Sequence, residues 1–316
     1  MSTYKIEYRS KGSFLAFLQP HLGAAALAST AGSGRTRLMV FVHGGHGDYV
    51  ATWTNTNTKV YWPELVRDDA TNFGSMDVAM FDYFTPRSLQ ADGVEKNASK
   101  LRDMLKESKA AGYDDIVFVA HSLGGVVTRQ FLVDLEKDKD PLLGKIRLVM
   151  SMTCAYGGSW VPGVLSKLRS KNHQFDEVKP GSSFLTSLNA RWDVLRQTLN
   201  PQQKQRPFVL AVWGESDDVV KCDNAVLGCD EVLRMSTPAE SVVITREHAK
   251  DLSCHTLFVA RTDKKEILFP KQLILAHPRS KIKDKLGHSD IVKPDNASHV
   301  SHLALREAFR LAVSDS

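Results

Sequence analysis

The chain has 316 residues, 42% of them hydrophobic, with 41 basic and 36 acidic side chains scattered along it for a formal charge of +5. That is enough apolar chain for one large core with insertions, and no basic stripe of the kind that tracks nucleic acid is present. The mild positive charge suits ordinary solubility and is compatible with peripheral contact at an anionic membrane; oligomeric state is not encoded at this level.

Residues 1–10 carry charges, and residues 14–28 are interrupted by Gln19, Pro20 and His21, so neither a signal peptide nor a membrane span is read there. Residues 29–36 read as a short flexible connector. Apolar or β-branched runs then predict strands at 38–42, 78–81, 116–119, 146–152 and 208–212. Their hydrophobicity is continuous rather than alternating, the pattern of strands covered on both faces. Between them, Val94, Ala98, Leu101 and Leu105 share one helical face, as do Val127, Phe131 and Leu135. Leu305, Ala308, Phe309 and Ala312 mark a closing helix. The fold class is therefore α/β, a mostly parallel central sheet with helices on both faces, in a single domain over 1–316.

Two stretches break that rhythm. Residues 159–206 read as a cap insertion in which Trp160, Val161, Val164, Leu165, Leu168, Phe184, Leu185, Leu188, Trp192 and Leu195 either wall a cleft or pack the cap onto the sheet. Residues 221–286 read as a second insertion. Of the four cysteines, Cys154, Cys222, Cys229 and Cys254, the pair Cys222 and Cys229 could close a short loop; free thiols in a reducing cytoplasm are the preferred reading.

Chemistry concentrates in three places. Ala120-His121-Ser122-Leu123-Gly124-Gly125 follows the run at 116–119 and opens a helix, the layout of a nucleophilic serine on a strained strand-to-helix turn. A serine hydroxyl needs a base to take its proton and a third group to orient that base. Trp213-Gly214-Glu215-Ser216-Asp217-Asp218-Val219-Val220 comes straight after the strand at 208–212, and Asp217 is the first choice for the acid, with Asp218 and Glu215 as competitors. For the base, His288 in Gly287-His288-Ser289-Asp290 precedes the terminal helix and is preferred over His277, His299 and His302 among 11 histidines. The oxyanion needs backbone donors. Leu123 N–H is one, and in His43-Gly44-Gly45-His46-Gly47-Asp48 the Gly45 N–H is the other, with His46 next in line.

Three other readings compete. His43, His46 and Asp48 could hold a metal for a metal-dependent hydrolase; Ser122-Leu123-Gly124-Gly125 could cradle a phosphate, although the P-loop lysine is missing; or the chain could be a hydrolase-like binding module with vestigial chemistry.

The ordered set resembles the α/β-hydrolase superfamily, and more narrowly its lipase-like serine esterase branch that includes GPI-inositol deacylases and serine-active-site-containing proteins. The resemblance rests on Phe41-Val42-His43-Gly44-Gly45 with Trp53 and Trp62-Pro63, on the serine elbow, on Pro180-Gly181-Ser182-Ser183-Phe184-Leu185 with Leu188-Asn189, on the acid loop, and on His288-Ser289 with Val292-Lys293-Pro294. It implies an α/β-hydrolase fold and a serine hydrolase of carboxylic esters with Ser122, Asp217 and His288 as triad and Gly45 and Leu123 as oxyanion donors. It also implies no cofactor, and a lipid or other acyl ester as substrate. Where relatives carry Thr-Pro-His-x-Gly-Ser, this chain reads Thr153-Cys154-Ala155-Tyr156-Gly157-Gly158-Ser159.

Overall fold

The structure, a computed structural model, describes residues 3–7, 13–19, 22–23, 35–85, 91–159, 173–199, 207–214, 217, 219–220, 224–225, 227, 231–235, 241–245, 260–262, 265–267 and 287–313. Strands β1 (Thr3–Glu7), β2 (Phe14–Leu18), β3 (Arg37–Val42), β4 (Asp77–Asp82), β5 (Asp115–His121), β6 (Ile146–Met152), β7 (Phe208–Gly214), β8 (Glu231–Met235) and β9 (Ser241–Thr245) form one sheet. Its order is β1-β2-β4-β3-β5-β6-β7-β8-β9. From β4 to β8 the neighbours run parallel, while the β1–β2 hairpin joins β4 antiparallel and β9 returns antiparallel on β8. A separate hairpin, β10 (Ala260–Thr262) with β11 (Lys265–Ile267), stands apart from the sheet ladder. The helices are α1 (Trp62–Asp68), α2 (Ala70–Phe73), α3 (Val94–Glu107), α4 (Leu123–Lys137), α5 (His173–Glu177), α6 (Ser183–Thr198) and α7 (Val300–Val313).

Side chains alternate across the sheet, and both faces are covered. Along β3, Leu38, Val40 and Val42 enter a core with α3, α4 and α6, while Met39 and Phe41 enter a second core with α1 and α7. In β5, Ile116, Phe118 and Ala120 divide from Val117 and Val119 in the same way. This is why the strands read as unbroken apolar runs: each buried Val, Leu, Ile or Phe contributes roughly 1.5–3 kcal/mol on whichever face it lies. Val94, Ala98, Leu101 and Leu105 are the buried stripe of α3, and Val127, Phe131 and Leu135 belong to that of α4.

Four strands of the main sheet lie outside the sequence expectation, as do β10 and β11. β1, β2 and β9 are the antiparallel margins, and β8 and β9 fall inside the stretch 221–286 that reads as an insertion. Because β8 pairs in parallel with β7, it extends the central sheet; most of the rest of that stretch lies outside the described residues. In 159–206, Trp160, Val161, Val164, Leu165 and Leu168 also lie outside them. Leu185, Leu188, Trp192 and Leu195 are turned into the core beside α4, so they fasten α6 down and do not wall a cleft. Arg129 of α4 completes that seam, its guanidinium 3.3 Å from the Tyr156 ring centroid and 5.0 Å from that of Trp192.

The parallel strands give the molecule two unlike ends. At their amino ends the buried Asp115 carboxylate meets Arg35, Arg37 and Arg147. At their carboxyl ends the chain turns back through the loops that follow β3, β5 and β7, where open α/β sheets place their sites. The sheet order, the helices on both faces and the strand–turn–helix junction after β5 make this the α/β-hydrolase fold. Among the described residues, no helix is long and apolar enough to cross a membrane.

Candidate active site

The junction between β5 and α4 is a single residue. Ser122 stands at φ 51° and ψ −121°, with its N–H donating to Met152 O at 3.0 Å. An L-residue avoids that region, so the turn holds only because its surroundings over-determine it. Gly124 shows how tightly: a Cβ there would lie 2.3 Å from His43 O and 2.4 Å from Val42 O, so α4 can start against the end of β3 only without a side chain. Gly44 makes the matching approach from the β3 side, where a Cβ would come 2.8 Å from Ser122 Cβ.

His288 Nε2 is 3.0 Å from Ser122 Oγ, across 166 residues of chain, and its Nδ1 is 2.9 Å from Asp217 Oδ2. The Asp217 side chain is shut off from solvent and that of His288 is 13% exposed. The other carboxylate oxygen, Oδ1, accepts from Val219 N–H at 2.8 Å and Val220 N–H at 2.9 Å. Val220 is fully buried, so the loop after β7 closes back onto the core just behind the acid. Facing a carboxylate, His288 carries its proton on Nδ1, which leaves Nε2 to accept from the serine hydroxyl.

Leu123 opens α4, and its N–H has no intrahelical partner by position. Among the described residues neither the Leu123 nor the Gly45 N–H donates a hydrogen bond. The Phe175 ring lies against Gly45, its Cζ 3.1 Å from where a Cβ would be, and Leu123 Cδ2 comes within 3.8 Å of the same point. Phe175 also stacks on His46 with centroids 4.8 Å apart. Its helix, α5, is bolted down on both sides: Gln174 Nε2 donates to Phe84 O and Asp92 O, and Glu177 Oε2 accepts from Val94 N–H at 2.8 Å, capping α3. Sequence reading places none of these roles, since Gln174, Phe175 and Glu177 sit in a stretch legible only as a cap.

The structure brings Ser122, Asp217 and His288 together and puts Gly45 and Leu123 beside them. His302 is elsewhere, between Trp62 Nε1 and Asp69 on the opposite core, and His299 Nδ1 accepts from Ser301 N–H. Asp218, Glu215 and His277 lie outside the described residues. The metal reading loses His43, which uses both ring nitrogens, Nδ1 donating to Gly44 O and Nε2 accepting from Tyr83 N–H. No three His, Cys, Asp or Glu side chains among the described residues converge as an ion site. His43 instead fixes the strand end, stacked on Tyr83 at 4.4 Å while Tyr83 Oη donates to His43 O.

Residues 33–156 match the model of the family described as "Putative serine esterase (DUF676)". That segment holds Gly45, Ser122 and Leu123 and ends before Asp217 and His288. No curated protein matches the chain. Among solved structures, a Legionella pneumophila phospholipase, PlaB in complex with thio-NAD, is 16% identical with a TM-score of 0.45, over 66% of this chain and 48% of that one. A Bacillus licheniformis lipase, BlEst2, is 19% identical with a TM-score of 0.35, over 57% and 66%. Carboxyl esterase 2 of Tuber melanosporum is 16% identical with a TM-score of 0.36, over 68% and 67%. The chain thus spans about half the length of the Legionella phospholipase.

Proposed function

From the α/β-hydrolase fold and the converging side chains of Ser122, His288 and Asp217, we propose that the chain is a serine carboxylester hydrolase acting on lipid or other acyl esters through an acyl-enzyme on Ser122. Ser122 Oγ attacks the acyl carbonyl as His288 Nε2 takes its proton, and the N–H groups of Leu123 and Gly45 receive the oxyanion. The C–O bond to the alcohol then breaks, and His288 returns its proton to the departing oxygen. Water attacks the acyl-enzyme, gives a proton to His288, and the carboxylic acid leaves with Ser122 restored. Asp217 holds the imidazole in the accepting tautomer and stabilises the imidazolium that forms in each half-reaction.

The observation that carries this reading is the unbroken series from Asp217 to His288 to Ser122, at 2.9 and 3.0 Å, beside two backbone donors that have no partner among the described residues. The acyl preference is supported by apolar side chains beside the oxyanion donors, since Phe175 and Leu123 both approach Gly45.

The test is hydrolysis of p-nitrophenyl esters from acetate to palmitate, with fluorophosphonate labelling located by mass spectrometry. Expected are an adduct on Ser122 and a loss of at least about a thousandfold in Ser122→Ala. Turnover unaffected by Ser122→Ala would overturn the proposal, and a chain that neither turns over nor labels would be a hydrolase-like binding module.

A further inference from the structure

We propose that His121, the residue before the candidate nucleophile, is a positioning residue that sets the distance between Ser122 and His288 by holding the backbone carbonyl of His288. The inference rests on the reading of Ser122 and His288 as nucleophile and base. His121 Nε2 lies 2.9 Å from His288 O, across 167 residues. A carbonyl can only accept, so the bond fixes the tautomer: Nε2 carries the proton and Nδ1 is a bare lone pair. Nδ1 is buried and without a hydrogen-bond partner among the described residues, and a Cβ on Gly44 would come within 3.1 Å of it. The His121 ring is wedged between Trp53, 6.4 Å away edge-on, and the His288 ring, 4.8 Å away.

The side chain therefore touches all three parts of the site at once. It is covalently next to Ser122, it packs on the glycine-bearing loop after β3 that supplies Gly45, and it anchors the loop that carries the base. Farther along, that loop is held by Asn55 Nδ2 donating to Lys293 O and Ser301 Oγ donating to Ile291 O. Those bonds lie three and more residues past His288. Ile291 N–H also reaches Gly287 O within the same loop, but among the described residues only the His121 bond ties the His288 carbonyl to the elbow, so a shift of the elbow carries the imidazole with it, and the hydroxyl-to-Nε2 distance survives small movements of either loop. Burial also keeps the His121 imidazole pKa well below its ordinary value, so no second cation forms beside His288 while the site works.

The experiment measures kcat and KM on p-nitrophenyl butyrate for wild type, His121→Phe, His121→Gln, His121→Asn and Ser122→Ala, with circular dichroism to establish folding. His121→Phe keeps the ring volume and removes the donor; kcat is expected to fall about 10- to 100-fold with KM within about twofold, as for a reacting group displaced by about 1 Å. Gln reaches His288 O with its amide N–H and is expected to recover most of that loss, whereas the shorter Asn is not. If His121→Phe does not fold, the Gln and Asn pair decides. Equal rates for Gln and Asn, or a wild-type kcat in folded His121→Phe, would overturn the inference while a dead Ser122→Ala leaves the hydrolase reading intact. Activity retained in Ser122→Ala would remove both.

Discussion

Asp217 uses its two carboxylate oxygens for different purposes, and this makes the acid assignment testable by one substitution. The N–H groups of Val219 and Val220 claim Oδ1, so in Asp217→Asn they select the amide oxygen for that place and turn the NH2 toward His288 Nδ1. The imidazole must then carry its proton on Nε2, where it can no longer accept from Ser122. We expect kcat to fall about 10³- to 10⁴-fold with little change in KM or melting temperature. A loss of less than about tenfold would show that another carboxylate, Asp218 or Glu215, orients the base. The same reasoning explains how far residue identity was readable. Ser122 announces itself because Ala120 and Gly124 flank it as a tight elbow demands, whereas a choice among Glu215, Asp217 and Asp218 depends on which one the turn after β7 points inward.

At the scale of elements, α5 is the part of the site most open to perturbation. It is one and a half turns long, too short to be stable alone, and stays in place through Gln174 and Glu177. Glu177 serves both partners, because its carboxylate caps α3, whose own N-cap, Gly93, offers no side chain. In Glu177→Ala the lost cap is expected to cost about 1 kcal/mol, a drop of about 2 °C in melting temperature. As Phe175 loses its support, KM for butyrate and longer esters should rise more than kcat falls. An unchanged KM in the folded variant would mean that Phe175 does not border bound ester. The central strands were legible from sequence because both of their faces are apolar, and α3, α4 and α7 because one stripe is. β1, β2, β8 and β9 were not, since strands toward the two edges of the sheet are recognised by their pairing, which a short run of sequence does not display. The residues of α6 gave an apolar pattern without a direction, and packing against α4 resolved it toward the core.

For the whole molecule, the buried histidines tie stability to pH. His121 and His302 are both held below the ordinary imidazole pKa by loss of hydration, so the native state binds fewer protons than the unfolded chain once pH falls through about 6.5. Their contribution is complete above that value and is lost as pH drops toward their native-state pKa. Asp134, raised by burial, works in the opposite sense, while Asp114, Asp138 and Asp140, lowered by hydrogen bonds and neighbouring cations, act only below about pH 4. Urea midpoints should therefore be lower at about pH 5 than at about pH 7.5, two imidazoles outweighing one carboxyl. Equal midpoints, or a higher one in acid, would contradict the burial of these rings. The 166 residues separating Ser122 from His288 have a temporal meaning as well. On a translating ribosome Ser122 emerges roughly 10–30 s ahead of His288, so for that interval the growing polypeptide carries the hydroxyl without the imidazole that meets it, and the pair closes only when the late loop reaches the sheet.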